Sequence, residues 1–186
     1  EKDIDVLEKK FKEIKILDPA CGSGAFLIKS IDILLEIFNA IQEFKQGFGN
    51  YNAKRGLKQK SNIKGQLTFK KFEEKDEIRE IIENNIFGVD INEEPVEITK
   101  LALFIKLAKK NKKLIDLSKN IKQGNSLIND QKIAGKLAFD WNKEFQFKFD
   151  VIIGNPPYGA KLPEKTINHC NKFFNLDSVS GKIKSS

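Results

Sequence analysis

The chain of 186 residues has no methionine, a single histidine, one tryptophan and two cysteines. Cys21 and Cys170 supply neither a disulfide framework nor a metal-ligand cluster, which excludes disulfide-stapled scaffolds and zinc modules and leaves a reduced, cytoplasmic protein as the expectation. His169, in a stretch of weak periodicity, is given no role. No apolar run approaches the ~18 to 20 residues that cross a bilayer, so no membrane partner is expected. The first fifteen residues, "EKDIDVLEKKFKEIK", lack the apolar centre of a secretory signal. The missing initiator methionine implies a processed chain or a piece of a longer one. Internal repeats are absent too.

Acid is missing from one long stretch. Residues 45–71 hold eight Lys or Arg and no Asp or Glu, and the glycines at 47, 49, 56 and 65 argue for a basic loop or insertion. The whole chain carries a net charge of +7 and a pI near 9.2, which favours a polyanionic partner.

What is present is an alternation of apolar runs and helical patterns. "IKIL" at 14–17 is a short strand ended by Asp18-Pro19. "CGSGAF" then opens a helix with Leu27, Ile31, Leu34, Phe38 and Ile41 at helical spacing. A helix is predicted near 75–84, and "NIFGVDIN" is a strand that ends at Asp90. Pro95, with Glu93 and Glu94 beside it, suits a helix start. That helix is expected to bury Ile98, Leu101, Ile105 and Ala108 and to turn Lys100, Lys106 and Lys110 to solvent. "NIKQGNSLI" reads as a third strand and turn, and "FDVIIG" as a fourth strand. Near-continuous apolar strands alternating with helices imply an α/β fold, a parallel sheet with helices on both faces. Residues 161–186 do not read as a completed sheet edge.

Three places concentrate chemistry. In "ILDPACGSGAF", Gly22 and Gly24 let the backbone turn sharply and approach a ligand, while Asp18 puts a carboxylate at the strand end, where it attracts a cationic group. Only G-x-G of the dinucleotide fingerprint is present. In "FGVDIN", Asp90 stands where nucleoside-binding α/β sheets keep the acid that accepts both ribose hydroxyls, although far later in the chain than usual. In "FDVIIGNPPYGA", Pro156 and Pro157 fix two φ angles and remove two donors, and Asn155 before them is pushed towards an extended conformation. The product is a stiff corner just past a strand, carrying one amide (Asn155) and one aromatic ring (Tyr158).

"LDPACGSGAFL", "NNIFGVDINEEPVEITKLALF", "IKQGNSLI" and "FDVIIGNPPYG" together resemble, in order and position, the DNA adenine-N6 methyltransferases of the NPPY type, in particular the methylase portion of type II restriction-modification enzymes. "AFDWNKEF" before the fourth strand resembles the same group. The resemblance covers residues 14–160. It implies a Rossmann-like, S-adenosylmethionine-dependent fold, here partial, with Asp18, Ala20, Gly22 and Gly24 at the cofactor's methionine end. Asp90 is implied on the ribose hydroxyls, Ile91 beside the adenine ring and Asn125 at the adenine amino group, where many relatives have Asp. Asn155 and the Pro156 carbonyl are implied as acceptors for the two N6 hydrogens of the target adenine, with Pro157 stiffening the loop and Tyr158 stacking on the base. The implied partner is double-stranded DNA with one adenine flipped out of the stack.

On this reading residues 1–160 are the N-terminal part of a catalytic domain, with 45–71 as a basic insertion or loop. Residues 161–186 are a tail, with the remaining strands and the target-recognition domain or subunit outside the chain. No P-D…(D/E)-x-K nuclease pattern is evident, and the chain alone is expected to bind cofactor weakly and to methylate nothing. Two other readings stay open: the same chemistry on RNA or on a protein glutamine, and a non-catalytic methylase-like module that binds nucleic acid or a partner.

Overall fold

The structure is a computed structural model and describes residues 2–54, 74–107, 115–157 and 162–174. In chain order the elements are α1 (Lys2–Glu13), β1 (Ile16–Asp18), α2 (Ala25–Lys54), α3 (Glu74–Asn85), β2 (Ile86–Asp90), α4 (Glu93–Leu107), β3 (Ile121–Gln123), α5 (Gln131–Ala134), a 3-10 turn (Gly135–Leu137), α6 (Trp141–Glu144), β4 (Val151–Ile152) and α7 (Glu164–Phe174). The four strands form one parallel sheet in the order β3-β2-β1-β4. This is the expected α/β architecture. Among the described residues no helix is long and apolar enough to cross a membrane.

The two central strands, β1 and β2, are buried on both faces, as parallel strands inside an α/β sheet are, while the edge strands β3 and β4 are partly exposed. Ile16, Ile86 and Ile121 join Leu27, Ile31, Leu34 and Ile41 of α2, Ile78, Ile81 and Ile82 of α3, and Val96 and Leu103 of α4 in one core. Each such side chain, once fully buried, contributes roughly 1.5 to 3 kcal/mol of transfer free energy. Leu17, Phe87 and Val89 point the other way, into a second, smaller core with Phe139 and Phe145, flanked by Trp141 and Phe149. Here the expectation of helices on both faces needs refinement. Among the described residues, the link from β3 to β4 that covers the second face holds the four-residue helices α5 and α6, a 3-10 turn and a set of aromatic rings in edge and tilted contact, such as Phe87 on Phe145 at 5.6 Å and Phe139 on Trp141 at 4.8 Å. Asp130 and Asp140 cap these short helices by accepting the Lys132 and Asn142 N–H groups, which lets them form without a long amphipathic stretch.

Two other expectations are corrected. The basic loop was expected from Lys45, yet α2 continues to Lys54, because Lys45 is held by ion pairs to Asp5 and Glu8 of α1 and the helix has a neighbour to lie on. Residues 55–71 of that segment lie outside the described residues. The described part of the tail, residues 162–174, contains helix α7, with Thr166 and Cys170 buried one turn apart and His169 stacked on Phe173. Helix α4 is turned by about half a revolution from the expected orientation: Ile98, Leu101 and Ile105 are 52, 58 and 67% exposed, and Val96, Thr99 and Leu103 are buried. Both stripes have the same helical spacing and both are largely apolar, so periodicity cannot choose between them. Polar anchors decide it: Lys106 pairs with Asp32 of α2, and Thr99 bonds a loop carbonyl. Ala108 and Lys110 lie outside the described residues.

Two buried asparagines close the helix ends over the sheet. Asn85 Nδ2 donates to the carbonyls of Phe11, Lys12 and Ile14 (3.4, 3.3 and 2.7 Å), satisfying the last turn of α1 and the chain leaving it. Asn120 Nδ2 donates to those of Ile82, Glu83 and Ile86 (3.0, 3.1 and 2.9 Å), doing the same where α3 enters β2. Terminal carbonyls of a helix have no partner within it and are costly when buried bare. Asn120→Ala is therefore expected to destabilise the protein by about 2 to 3 kcal/mol, read as a lowered denaturant midpoint. A shift indistinguishable from zero would show that water serves these carbonyls equally well.

Candidate functional site

The four strands end on one side, and the loops that follow them form a crevice there, as open α/β sheets do at the carboxyl ends of their strands. Asp18, the last residue of β1, is 1% exposed, and its Oδ1 accepts the Ala20 N–H at 3.0 Å. Burial raises its pKa above the ordinary carboxylate value, and the nearby negative charge of Asp90 adds to the rise, against the lowering effect of the Ala20 bond.

The glycine loop after Asp18 is fastened to the next strand-helix unit. The Cys21 N–H donates to Val89 O (3.0 Å) and the Gly22 N–H to Asp90 Oδ2 (2.9 Å), across 68 residues of sequence. The Gly22 carbonyl accepts from Thr99 Oγ1 at 2.8 Å. Gly24 has φ +80°, and a Cβ there would lie 2.9 Å from the Thr99 methyl, so both conformation and space require glycine. A Cβ on Gly22, by contrast, would meet nothing within 4 Å: the loop is open on that side. Cys21 is buried and its thiol is pushed up to about 12, chiefly by desolvation, as suits a small packing residue.

Asp90 serves two loops at once, since its Oδ1 also accepts the Asn92 N–H at 3.0 Å. Beside it an open groove of about 670 Å³ is lined by Ile91, Asn92, Glu93, Glu94, Glu97, Gln123 and Leu137. Ile91 is 45% exposed, and its carbonyl takes a bond from Gln123 Nε2. The turn after β3 is tied to the same place, the Gly124 N–H donating to Asp90 O at 2.8 Å. Asn125 follows, with its N–H on Leu137 O and its Oδ1 accepting from Leu127 N at 3.1 Å. The side-chain carbonyl expected to face a ligand is thus already an Asx-turn acceptor, with its second lone pair left over. Trp141 supports this turn from "AFDWNKEF", its indole N–H donating to Ser126 O at 3.0 Å.

The fourth loop leaves β4 beside β1. The Ile153 N–H donates to Leu17 O at 2.9 Å, and a Cβ on Gly154 would stand 2.8 Å from Asp18 Oδ1. The absence of a side chain at 154 lets the buried carboxylate and the root of the Asn155-Pro156-Pro157 loop touch. Asn155, Pro156 and Pro157 are exposed, and the Asn155 side chain has no partner among the described residues. Tyr158 lies outside the described residues.

Of the residues singled out from the sequence, Asp18, Ala20, Gly22, Gly24, Asp90, Ile91 and Asn125 are joined in one hydrogen-bonded neighbourhood, and Asn155 and its prolines begin one residue beyond it. Thr99 and Gly154 were missed. A threonine at helical spacing between Val96 and Leu103 was the available signal for the first. For the second it was a glycine at the very end of an apolar strand.

A glycine-turned first loop, an acid ending the second strand and a stiff loop after the fourth, on a parallel sheet, match the α/β methyltransferase fold. A family model for the Eco57I restriction-modification methylase matches residues 84–182, and the chain belongs to that family. It is 35% identical over 197 residues to the type II restriction enzyme and methyltransferase RM.Eco57I of Escherichia coli, an overlap that takes in 98% of this chain and 17% of that protein. It is 33% identical over 135 residues to the putative type II restriction enzyme and methyltransferase RM.MjaORFECS2P of Methanocaldococcus jannaschii, and 26% identical over 113 residues to the adenine-specific methyltransferase PglX of Lacticaseibacillus casei. Those overlaps take in 67 and 61% of this chain and 9 and 7% of the relatives, so the chain spans a small part of each. Methyltransferases of this kind use S-adenosylmethionine in general.

The raised pKa of Asp18 gives a pH prediction with a definite sign. A carboxyl whose folded-state pKa lies above its unfolded one stabilises the fold fully below the unfolded value, and that contribution is lost as pH rises through the folded value. Asp18→Asn is thus expected to be more stable than wild type at pH 7 without ligand. The gap should narrow as pH falls through the raised folded-state value and close below the ordinary value of 3.8. Denaturant midpoints of the two proteins across that range test this; a gap that widens towards acid refutes it.

Proposed function

We propose that the protein to which this chain belongs is a site-specific DNA methyltransferase that moves a methyl group from S-adenosylmethionine to adenine N6. The single observation that carries the reading is the contact between Gly154 and Asp18. It brings the stiff Asn155-Pro156 corner to the edge of the crevice opened by the glycine loop, so that an amine held by the one faces a ligand held by the other.

The residues present fit the cofactor. Its ammonium is the cationic partner that a buried carboxylate at position 18 lacks, and binding it would offset the desolvation that raises the Asp18 pKa. The open side of Gly22 leaves room for the methionine end near Ala20 and Gly24. Asp90 keeps one lone pair on each oxygen for ribose hydroxyls, and the groove at Ile91 is wide enough for a purine, with the remaining lone pair of Asn125 for its amino group. When bound, S-adenosylmethionine supplies an electrophilic methyl group on sulfur.

The target nitrogen is a poor nucleophile, because its lone pair is delocalised into the adenine ring. Asn155 Oδ1 and the Pro156 carbonyl accept its two hydrogens, favouring a pyramidal nitrogen whose lone pair is exposed. Pro156 and Pro157 hold both acceptors still, so little reorganisation is needed during reaction. Tyr158 provides the face on which the flipped base stacks, worth about 1 to 3 kcal/mol against a few kcal/mol for extrusion from the duplex. Double-stranded DNA is the partner, recognition of its sequence falls to a domain or subunit outside this chain, and a restriction-modification system in the cytoplasm is the setting.

The test uses the full-length gene product in a host without DNA methylation, its genome sequenced for N6-methyladenine. One short motif methylated by wild type is expected, with methylation by Asn155→Ala reduced about 10² to 10³-fold, the usual cost of one positioned catalytic hydrogen bond. An unmodified genome, with the protein soluble and binding S-adenosylmethionine, would refute DNA as substrate and point to RNA or protein.

A further inference from the structure

We infer that Thr99 is a positioning residue for the cofactor loop, acting through the peptide of Gly22; this rests on the methyltransferase reading above. Thr99 is fully buried and sits mid-helix in α4. A threonine in that position commonly bonds the carbonyl one turn back in its own helix. Here the hydroxyl instead crosses to Gly22 O at 2.8 Å, with Cys21 Sγ 4.0 Å from the same oxygen. The methyl group takes the space over Gly24.

The consequence is that both polar atoms of Gly22 are held by one strand-helix unit: its N–H by Asp90 at the end of β2, its carbonyl by Thr99 two turns into α4. Gly22 has φ +52° and open space where a Cβ would be; its first peptide is held also by the Gly24 N–H on Cys21 O at 2.8 Å, so it is the second peptide, the one carrying the Gly22 carbonyl, that the Thr99 bond fixes. Every peptide bond in the described chain is trans. With the Gly22 carbonyl drawn towards α4, the Ser23 N–H of the same planar unit must point the opposite way, off the α4 side of the loop. Thr99 therefore sets which backbone groups of the loop are turned inward and which remain for a ligand, without touching the ligand itself. It also couples the loop to Asp90, since both grips belong to the same rigid piece.

Two substitutions separate the hydroxyl from the packing. Thr99→Val keeps the shape and removes the donor; Thr99→Ser keeps the donor and removes the methyl. By calorimetric titration of S-adenosylmethionine into the full-length gene product, the valine variant is expected to bind about tenfold more weakly, the loss of one net hydrogen bond to the loop, and the serine variant within twofold of wild type. In steady state the valine variant should raise KM for the cofactor about tenfold while kcat stays within twofold. A valine variant that binds as wild type does, or a serine variant that loses as much as valine, overturns the inference. If the valine protein does not fold, Thr99→Ser against Thr99→Ala decides it, because that pair differs only in the hydroxyl, and equal affinities would overturn it. A wild-type protein that does not bind S-adenosylmethionine at all refutes the functional reading, and this inference with it.

Discussion

Everything at the crevice depends on the attachment of the first loop to the second strand. The Asp90 carboxylate receives the Gly22 N–H, its backbone carbonyl receives the Gly124 N–H, and Val89 O receives the Cys21 N–H. Two loops that follow two different strands, β1 and β3, are thereby referred to one point on β2. A loop of glycine and small residues has little side-chain packing to hold it, and fixing its backbone costs about 1 to 2 kcal/mol per residue in entropy. Bonds from a buried strand and helix supply the restraint that its own composition cannot. The same bonds keep Asp90 beside the loop although a helix of thirty residues, a basic segment and a further helix separate them in the chain.

The two faces of the sheet are covered by different means. On one side long helices bury aliphatic side chains, with Asn85 and Asn120 satisfying the carbonyls exposed where those helices end. On the other, the link from β3 to β4 contains no long helix, and aromatic rings do the covering. A Phe or Trp buries 150–250 Å² on very little backbone, which is how so short a segment seals Leu17, Phe87 and Val89 from water. Trp141 has a second duty, because its indole N–H braces the turn that presents Asn125. The pattern "AFDWNKEF" thus has a physical reason in this fold, beyond its likeness to a family.

Strand order of events, helix positions and loop chemistry were legible in the sequence wherever one signal sufficed. Apolar runs ended by Asp18, Asp90 and Gly154 marked β1, β2 and β4, and the spacing Leu27, Ile31, Leu34, Ile41 marked the buried face of α2. What failed was any judgement needing a partner. Helix α4 has two apolar stripes, and only Asp32 and the Gly22 carbonyl, both distant in sequence, select the one that packs. Helix α2 outlasts its periodicity because α1 offers Asp5 and Glu8 to Lys45. Thr99 looked like one more residue in an apolar helix, since its importance lies in what its hydroxyl meets across the fold.

Asp18 argues most directly that the crevice is built for a ligand. A carboxylate that is nearly sealed from water, bonded to the Ala20 N–H and repelled by Asp90, is an electrostatic burden on the unliganded fold. A residue chosen for stability alone would be neutral there, and an asparagine could accept the same N–H. The placement is reinforced from the other side, because Gly154 gives up its side chain so that the carboxylate can lie against it. Two sequence positions from opposite ends of the domain are thus constrained for the sake of one unfavourable charge. Under the proposed function the constraint has a use: the charge that binds a cationic cofactor and the loop that presents the adenine amine are held in one fixed register, and the desolvation that burdens the carboxylate strengthens its hold on the ammonium.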